Sequence, residues 1–287
     1  MAGRAWAIRI LRSNEFRPLG EPCGRGTGRA PGVCPPLRTG TDRDAALAAA
    51  AALMLFSCFS SFMTSENLPP ARPAAASEIF AWFVDHEIVL DAAHPAAEWE
   101  NAHPVTFTSD WQGKNPDTDR ETQVRVLWSE RTLCLRFECR YRGLFVFPDA
   151  DPSGRRDHLW ERDVAEAFLQ PDPAREHYYR EFEVSPNGMW IDLDIFPGGL
   201  SDLNSGMQRS VLVDEKAQVW IAELAIPLKA LTPQFDRNLT WRVNFYRVEG
   251  TTEPRAYLAW QPTNTPAPNF HVPRAFGRMR FVGIRTR

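Results

Sequence analysis

The sequence predicts an all-β fold: a jelly-roll-like β-sandwich of about a dozen strands over residues 80–285. Three observations predict it. Short runs of alternating apolar and polar residues follow one another from residue 80 onward, which is the period of a half-buried strand. Turn residues break these runs at close intervals, and only 227–231 carries a helical period, for barely one turn. The chain also holds ten Trp and eighteen Phe, with every Trp except Trp6 beyond residue 80. Large rings favour pleated, half-buried positions.

The strands are expected at 123–128, 132–140, 164–169, 178–185, 189–195, 210–214, 219–226, 241–248, 257–260 and 278–282. Weaker ones are expected at 87–90 and 105–108. Ser185-Pro186-Asn187-Gly188 reads as the turn of a hairpin between the fourth and fifth of the main runs. A dozen strands without helices between them make a sandwich, and about 200 residues bury a full core without a second folded domain.

The first 79 residues have a different texture. Residues 1–44 are rich in Arg, Gly and Pro and read as a disordered basic head. Residues 45–63 carry no charge, and as a helix they would be about 28 Å long, near the thickness of a bilayer core. That run reads as a signal peptide or membrane anchor, and Cys58 sits in a loose match to a lipoprotein cleavage box. The chain is then expected to be secreted, periplasmic or membrane-anchored, with membrane contact only through 45–63. If translation starts at Met54 or Met63, the expectation is a cytoplasmic domain. Residues 64–79 read as a Pro/Ala linker.

Charge narrows the partners. The head holds eight Arg against four acids, so the remaining 243 residues carry −7 of the formal −3 total. An acidic body argues against nucleic acid as a partner. Cys134 and Cys139 lie five apart on one expected strand and so point to opposite faces, as two free buried thiols.

Alternation sorts the polar residues. Tyr179, Glu181, Glu183 and Ser185 share one face of their strand, and Arg180, Phe182 and Val184 the other. Trp190, Asp192 and Asp194 share a face, as do Arg242, Asn244 and Tyr246. Carboxylates, Arg forks and amides make paired hydrogen bonds to vicinal hydroxyls, and Trp and Tyr rings cover a sugar's C–H face. A solvated outer face gives the same pattern, so parity alone leaves both readings open.

Linked segments carry a more specific signal. Residues 160–169 (WERDVAEAFL) resemble the W-x-x-D-x-x-E-x-F segment of the family 9 carbohydrate-binding modules. Residues 179–188 (YREFEVSPNG) are similar to the strand and turn that follow it. Residues 220–227 (WIAELAIP), 241–247 (WRVNFYR), 260–262 (WQP) and 270–277 (FHVPRAFG) resemble the later segments in order. The resemblance implies a sandwich that clamps a sugar between two aromatic rings, often with structural calcium, serving carbohydrate catabolism. By position it assigns Trp160 as one ring and Glu166 as a hydroxyl-binding carboxylate, with Arg180 as a partner. Trp260 and Phe270 are the candidates for the second ring. Glu223 reads as structural.

Two other classes stay open. Glu166, Glu181, Glu183, Asp192 and Asp194 supply enough acids for a glycoside hydrolase, which needs two carboxyls across one bond. His158, His177 and His271 lie near the motif segments, as a haem- or metal-binding redox sandwich would require. A binding module, rather than an enzyme, is the reading favoured here.

Overall fold

The computed structural model describes residues 77–149, 151 and 153–283. The expectations for the head, for 45–63 and for all but the end of the linker lie outside these residues. No helix among the described residues is long and apolar enough to cross a membrane.

The described chain forms thirteen strands. They are β1 (Glu78–Phe83), β2 (Val105–Phe107), β3 (Thr122–Trp128), β4 (Thr132–Arg140), β5 (Val164–Gln170), β6 (Tyr179–Val184) and β7 (Trp190–Phe196). Then come β8 (Gly199–Asp202), β9 (Gln208–Asp214), β10 (Val219–Pro227), β11 (Trp241–Glu249), β12 (Ala256–Ala259) and β13 (Gly277–Val282). One helical turn, α1 (Leu228–Leu231), follows β10. The all-β expectation holds, with two strands added and one removed. β1 begins inside the stretch read as linker, because Ile79 and Ala81 alternate into the core while Glu78 and Phe80 point out. β8 is exposed throughout and has no apolar face to mark it. Residues 87–90 do not pair; Ile88 is buried and Val89 exposed in an irregular segment that packs on the outside of a sheet.

Hydrogen bonding links the strands in the order β8-β7-β6-β5-β11-β13-β1-β3-β4-β10-β9, with β12 added to β11 and β2 to β3. β1 runs parallel to both its neighbours, and the other pairs are antiparallel. This path curls so that its two halves face each other across one core. Ala165, Ala167, Leu169, Phe182, Val184, Val243 and Phe245 enter that core from β5, β6 and β11. Val124, Val126, Leu135, Phe137, Trp220, Ala222 and Leu224 meet them from β3, β4 and β10. Phe137 and Phe245 touch edge to face across the gap, with centroids 5.9 Å apart.

The predicted hairpin turn forms. The Gly188 N–H donates to the Ser185 carbonyl (2.8 Å), and Gly188 takes a φ of +81°, the left-handed position that closes such a loop. Strand parity separates the two thiols as expected. Cys139 faces the inter-sheet core and Cys134 the smaller cluster outside β3 and β4, and both are free. Burial pushes each thiol up to about 12. Neither should be alkylated by iodoacetamide at pH 8 in the native protein, and both should be after denaturation; peptide-resolved mass spectrometry reads this directly.

Candidate functional site

The outward face of β5, β6, β7 and β11 does not meet open solvent. It carries its own apolar cluster: Val164, Phe168, Tyr179, Ile191, Leu193, Ile195, Tyr246 and Val248, roofed by Phe147, Leu159, Phe270 and Phe276. Trp111, Trp160, Met189 and Tyr257 are its partly exposed rim. Among these apolar residues lies a polar row.

Register builds the row. Glu183 stands opposite Glu166, and Glu166 opposite Tyr246. One step along, Glu181 faces Phe168 and Phe168 faces Asn244. Glu166, Glu181 and Glu183 are 2%, 3% and 0% exposed. Like charges directly opposite on neighbouring strands destabilise a sheet, and burial in apolar surroundings adds to the cost. Both effects favour the neutral acid. Burial, then the charge of Glu181, holds Glu166 well above the usual carboxylate range, with Arg255 pulling the other way. Burial likewise raises Glu181, opposed by His271. Glu183 is raised well above by burial and then by the charges of Glu166 and Glu181.

Tyrosines and amides frame these acids. Tyr179 Oη lies 2.7 Å from Nδ1 of the exposed His271. Tyr246 Oη donates to the Phe270 carbonyl (3.0 Å) and accepts from Asn244 Nδ2 (2.7 Å). Gln170 spends its amide N–H groups on the Arg175 and Glu176 carbonyls, leaving Oε1 without a donor. At the rim, Arg255 Nη1 donates to the Trp160 carbonyl and Nε to Tyr257 Oη, each at 2.9 Å. Tyr257 stands edge-on to Trp111 (6.1 Å), whose Nε1 donates to the Thr265 carbonyl (2.9 Å).

The structure therefore brings together three of the residues singled out from sequence and separates two. Trp160, Glu166 and Phe270 belong to this face, Phe270 as a roof ring stacked flat on Tyr246 (4.1 Å, 10°). Trp260 is not brought there. It lies 2% exposed in the core between the sheet halves, tilted against Phe245 at 5.6 Å, where no ligand ring can reach it. Arg180 is paired with Leu169 in register, on the side opposite Glu166, and forms an ion pair with Asp194 at 2.7 Å. The parity of Phe182 and Val184 already placed it on that side. Arg255, Tyr257 and Trp111 were missed, because they lie in segments without a motif. Glu223 is structural as expected, buried against Arg136 and accepting from the Asp91 N–H.

His158 packs beside Trp160, far along the sequence from His271, and no group of three or more His, Cys, Asp or Glu among the described residues is placed to hold a metal ion. Oδ1 of Asp151 and Oδ1 of Asp110 each accept from two N–H groups of their own turn.

Comparison with known proteins gives the same class. The profile of the family described as "Carbohydrate family 9 binding domain-like" matches residues 90–284. The chain belongs to that family. Carbohydrate binding by a β-sandwich module is the function that goes with it. The family 9 module of Caldicellulosiruptor kristjanssonii, solved with cellotriose, superimposes with a TM-score of 0.53 at 15% identity, over 72% of this chain and 95% of that one. The same organism's module with glucose gives 0.53 and 15% over 73% and 98%. At that identity the likeness is one of fold. A protein of Arthroderma benhamiae named "Extracellular protein" is 28% identical over 181 residues, 56% of this chain and 79% of its own length.

Proposed function

We propose that the rim and polar row on the outer face of β5, β6 and β11 bind a sugar, and that the protein binds rather than cleaves it. The observation that carries this is the pairing of half-exposed rings, Trp160 and Tyr257, with a buried row of hydroxyl-binding groups behind them. Rings of that kind cover the C–H side of a pyranose, while Glu166 and the Arg255 fork suit its hydroxyls. Hydrolysis needs two carboxyls on opposite sides of the scissile bond. Glu166 and Glu183 stand side by side on one wall, which supports binding over cleavage. A location outside the cell fits the uncharged run at 45–63 and the name of the Arthroderma relative.

Calorimetric titration with glucose and with cellotriose tests the reading. Trp160→Ala should lower affinity for the probe that binds by about 5- to 150-fold, the equivalent of roughly 1–3 kcal/mol for a lost stacking contact. Its melting temperature should stay near the parent's. Collapse of the fold in Trp160→Ala, or affinity equal to the parent's, would show that the ring is structural.

A further inference from the structure

We propose that Glu183 is a positioning residue of the ligand face: its carboxyl O–H donates to the Glu181 carboxylate, and the joined pair fixes Glu181 while sparing Glu166 a second charge, the one directly opposite it. Its consequence for binding rests on the sugar-binding reading; the hydrogen bond itself does not.

Geometry carries the inference. Glu181 and Glu183 are two apart on β6, so their side chains leave the same face side by side. Glu183 also stands opposite Glu166. It is fully buried, and neither of its oxygens, nor Glu181 Oε2, meets a donor from any other described group. Two carboxylates offer each other only acceptors, so a buried pair needs a proton between them. Of the two, Glu183 is the more deeply buried and stands opposite a third acid, Glu166, so the proton is better kept on Glu183, in line with the larger upward shift that burial and these acids give it. The surroundings agree. β5 presents Glu166, β6 adds Tyr179, β11 presents Tyr246, and β7 presents only Ile191, Leu193 and Ile195. The basic side chains are Arg255, acting on Glu166, and His271, acting on Glu181. Neither acts on Glu183, the one member of the row with only acids as its charged neighbours.

The sign of the pH dependence follows. Glu183 releases its proton near pH 4–5 in the unfolded chain and higher in the folded one. Its contribution is complete below the unfolded value and is lost as pH rises through the folded one. Across that window the folded-to-unfolded ratio falls about tenfold per pH unit for the retained proton. Probe affinity should fall with it, since a second charge then stands opposite Glu166.

Three variants and one spectrum decide it. Glu183→Gln keeps a donor that no pH removes. It should bind glucose or cellotriose like the parent at pH 6, keep that affinity into the alkaline range, and lose one proton from the slope of stability against pH. Glu183→Met, of similar size but without a donor, should lose about tenfold or more in affinity relative to the parent wherever the parent's Glu183 keeps its proton. Equal binding by Gln and Met, or a slope unchanged in Gln, overturns the proposal. Glu181→Gln should move the titration of the Glu183 carboxyl carbon to lower pH, since it removes one acidic neighbour while burial and Glu166 still hold the group raised. In the parent that signal, read by 13C NMR of the full protein, should stay that of a neutral acid well past the usual carboxylate range; ordinary titration in the parent also overturns it. If neither probe binds the parent at any pH, the sugar reading fails, and slope and spectrum still judge the hydrogen bond.

Discussion

Trp260→Ala should cost about 3–5 kcal/mol of folding stability, the usual penalty for emptying a core Trp site. The affinity of the folded fraction for a sugar probe should stay at the parent's value. Trp260 lies between the sheet halves, held to β11 by its backbone N–H, which donates to the Phe245 carbonyl (2.9 Å). The fit around the ring is close enough to dictate a neighbour. A Cβ added to Gly277 would lie 2.6 Å from Trp260 Cη2 and 2.9 Å from the Ser77 carbonyl oxygen, so a glycine is required where β13 passes the ring. Packing this tight relaxes little around a lost ring, which puts the cost high in its range. Urea denaturation alongside Trp160→Ala makes the contrast plain: one variant loses stability, the other affinity. A Trp260→Ala protein as stable as the parent but unable to bind would place the ligand on the wrong side of the sheet.

The fate of these two Trp residues shows what the sequence made legible. Strand parity sorted the faces of β6, β7 and β11 correctly, since alternation is a local property. Which face meets the second half of the sandwich depends on contacts far apart in the chain, and both faces of β6 carry apolar residues. Trp260 follows β12 closely and reads equally well as a rim ring until β11 fixes it inward. Arg180 was more tractable. Counting back from the Ser185–Gly188 turn pairs it with Asp194, an opposite charge that already offers it a structural partner. Glu166 was found through its motif, but the register that sets it against Glu183 was not, because an eight-residue connection between β5 and β6 leaves the pairing free. Arg255 carries no local signal at all. It reaches Trp160 only because the β11–β12 hairpin folds over the start of β5.

Arg247→Met should be at least as damaging as loss of Trp260, about 3–5 kcal/mol at neutral pH, and unlike it should depend strongly on pH. The Arg247 guanidinium is fully buried between the sheet halves, 5.0 Å above the Trp220 ring. It lies 3.9 Å from Asp163 and 3.6 Å from Glu249, and donates to the carbonyls of Val248 and Val164. Glu249 has a second cation in Arg120 at 2.8 Å, whereas among the described residues Asp163 has, besides Arg247, the N–H groups of Gly250 (2.7 Å) and Phe145 (3.2 Å). Burial pushes Asp163 up to about 6 even while Arg247 pulls it down. A carboxyl raised on folding contributes stability that is complete below its unfolded value, near 3.9, and is lost as pH rises through the folded one. In the parent that loss is spread between about pH 4 and 6. Without Arg247 the folded value climbs further, so the loss continues through neutrality. The variant should therefore sit close to the parent at pH 4.5 and far below it at pH 7.5. Adding Asp163→Asn should recover part of the neutral-pH deficit, because an amide needs no counter-charge. Urea titrations of parent, single and double variants at the two pH values read the effect. An equal deficit at both, or no recovery in the double variant, would mean that Arg247 contributes by packing on Trp220 and not through its charge.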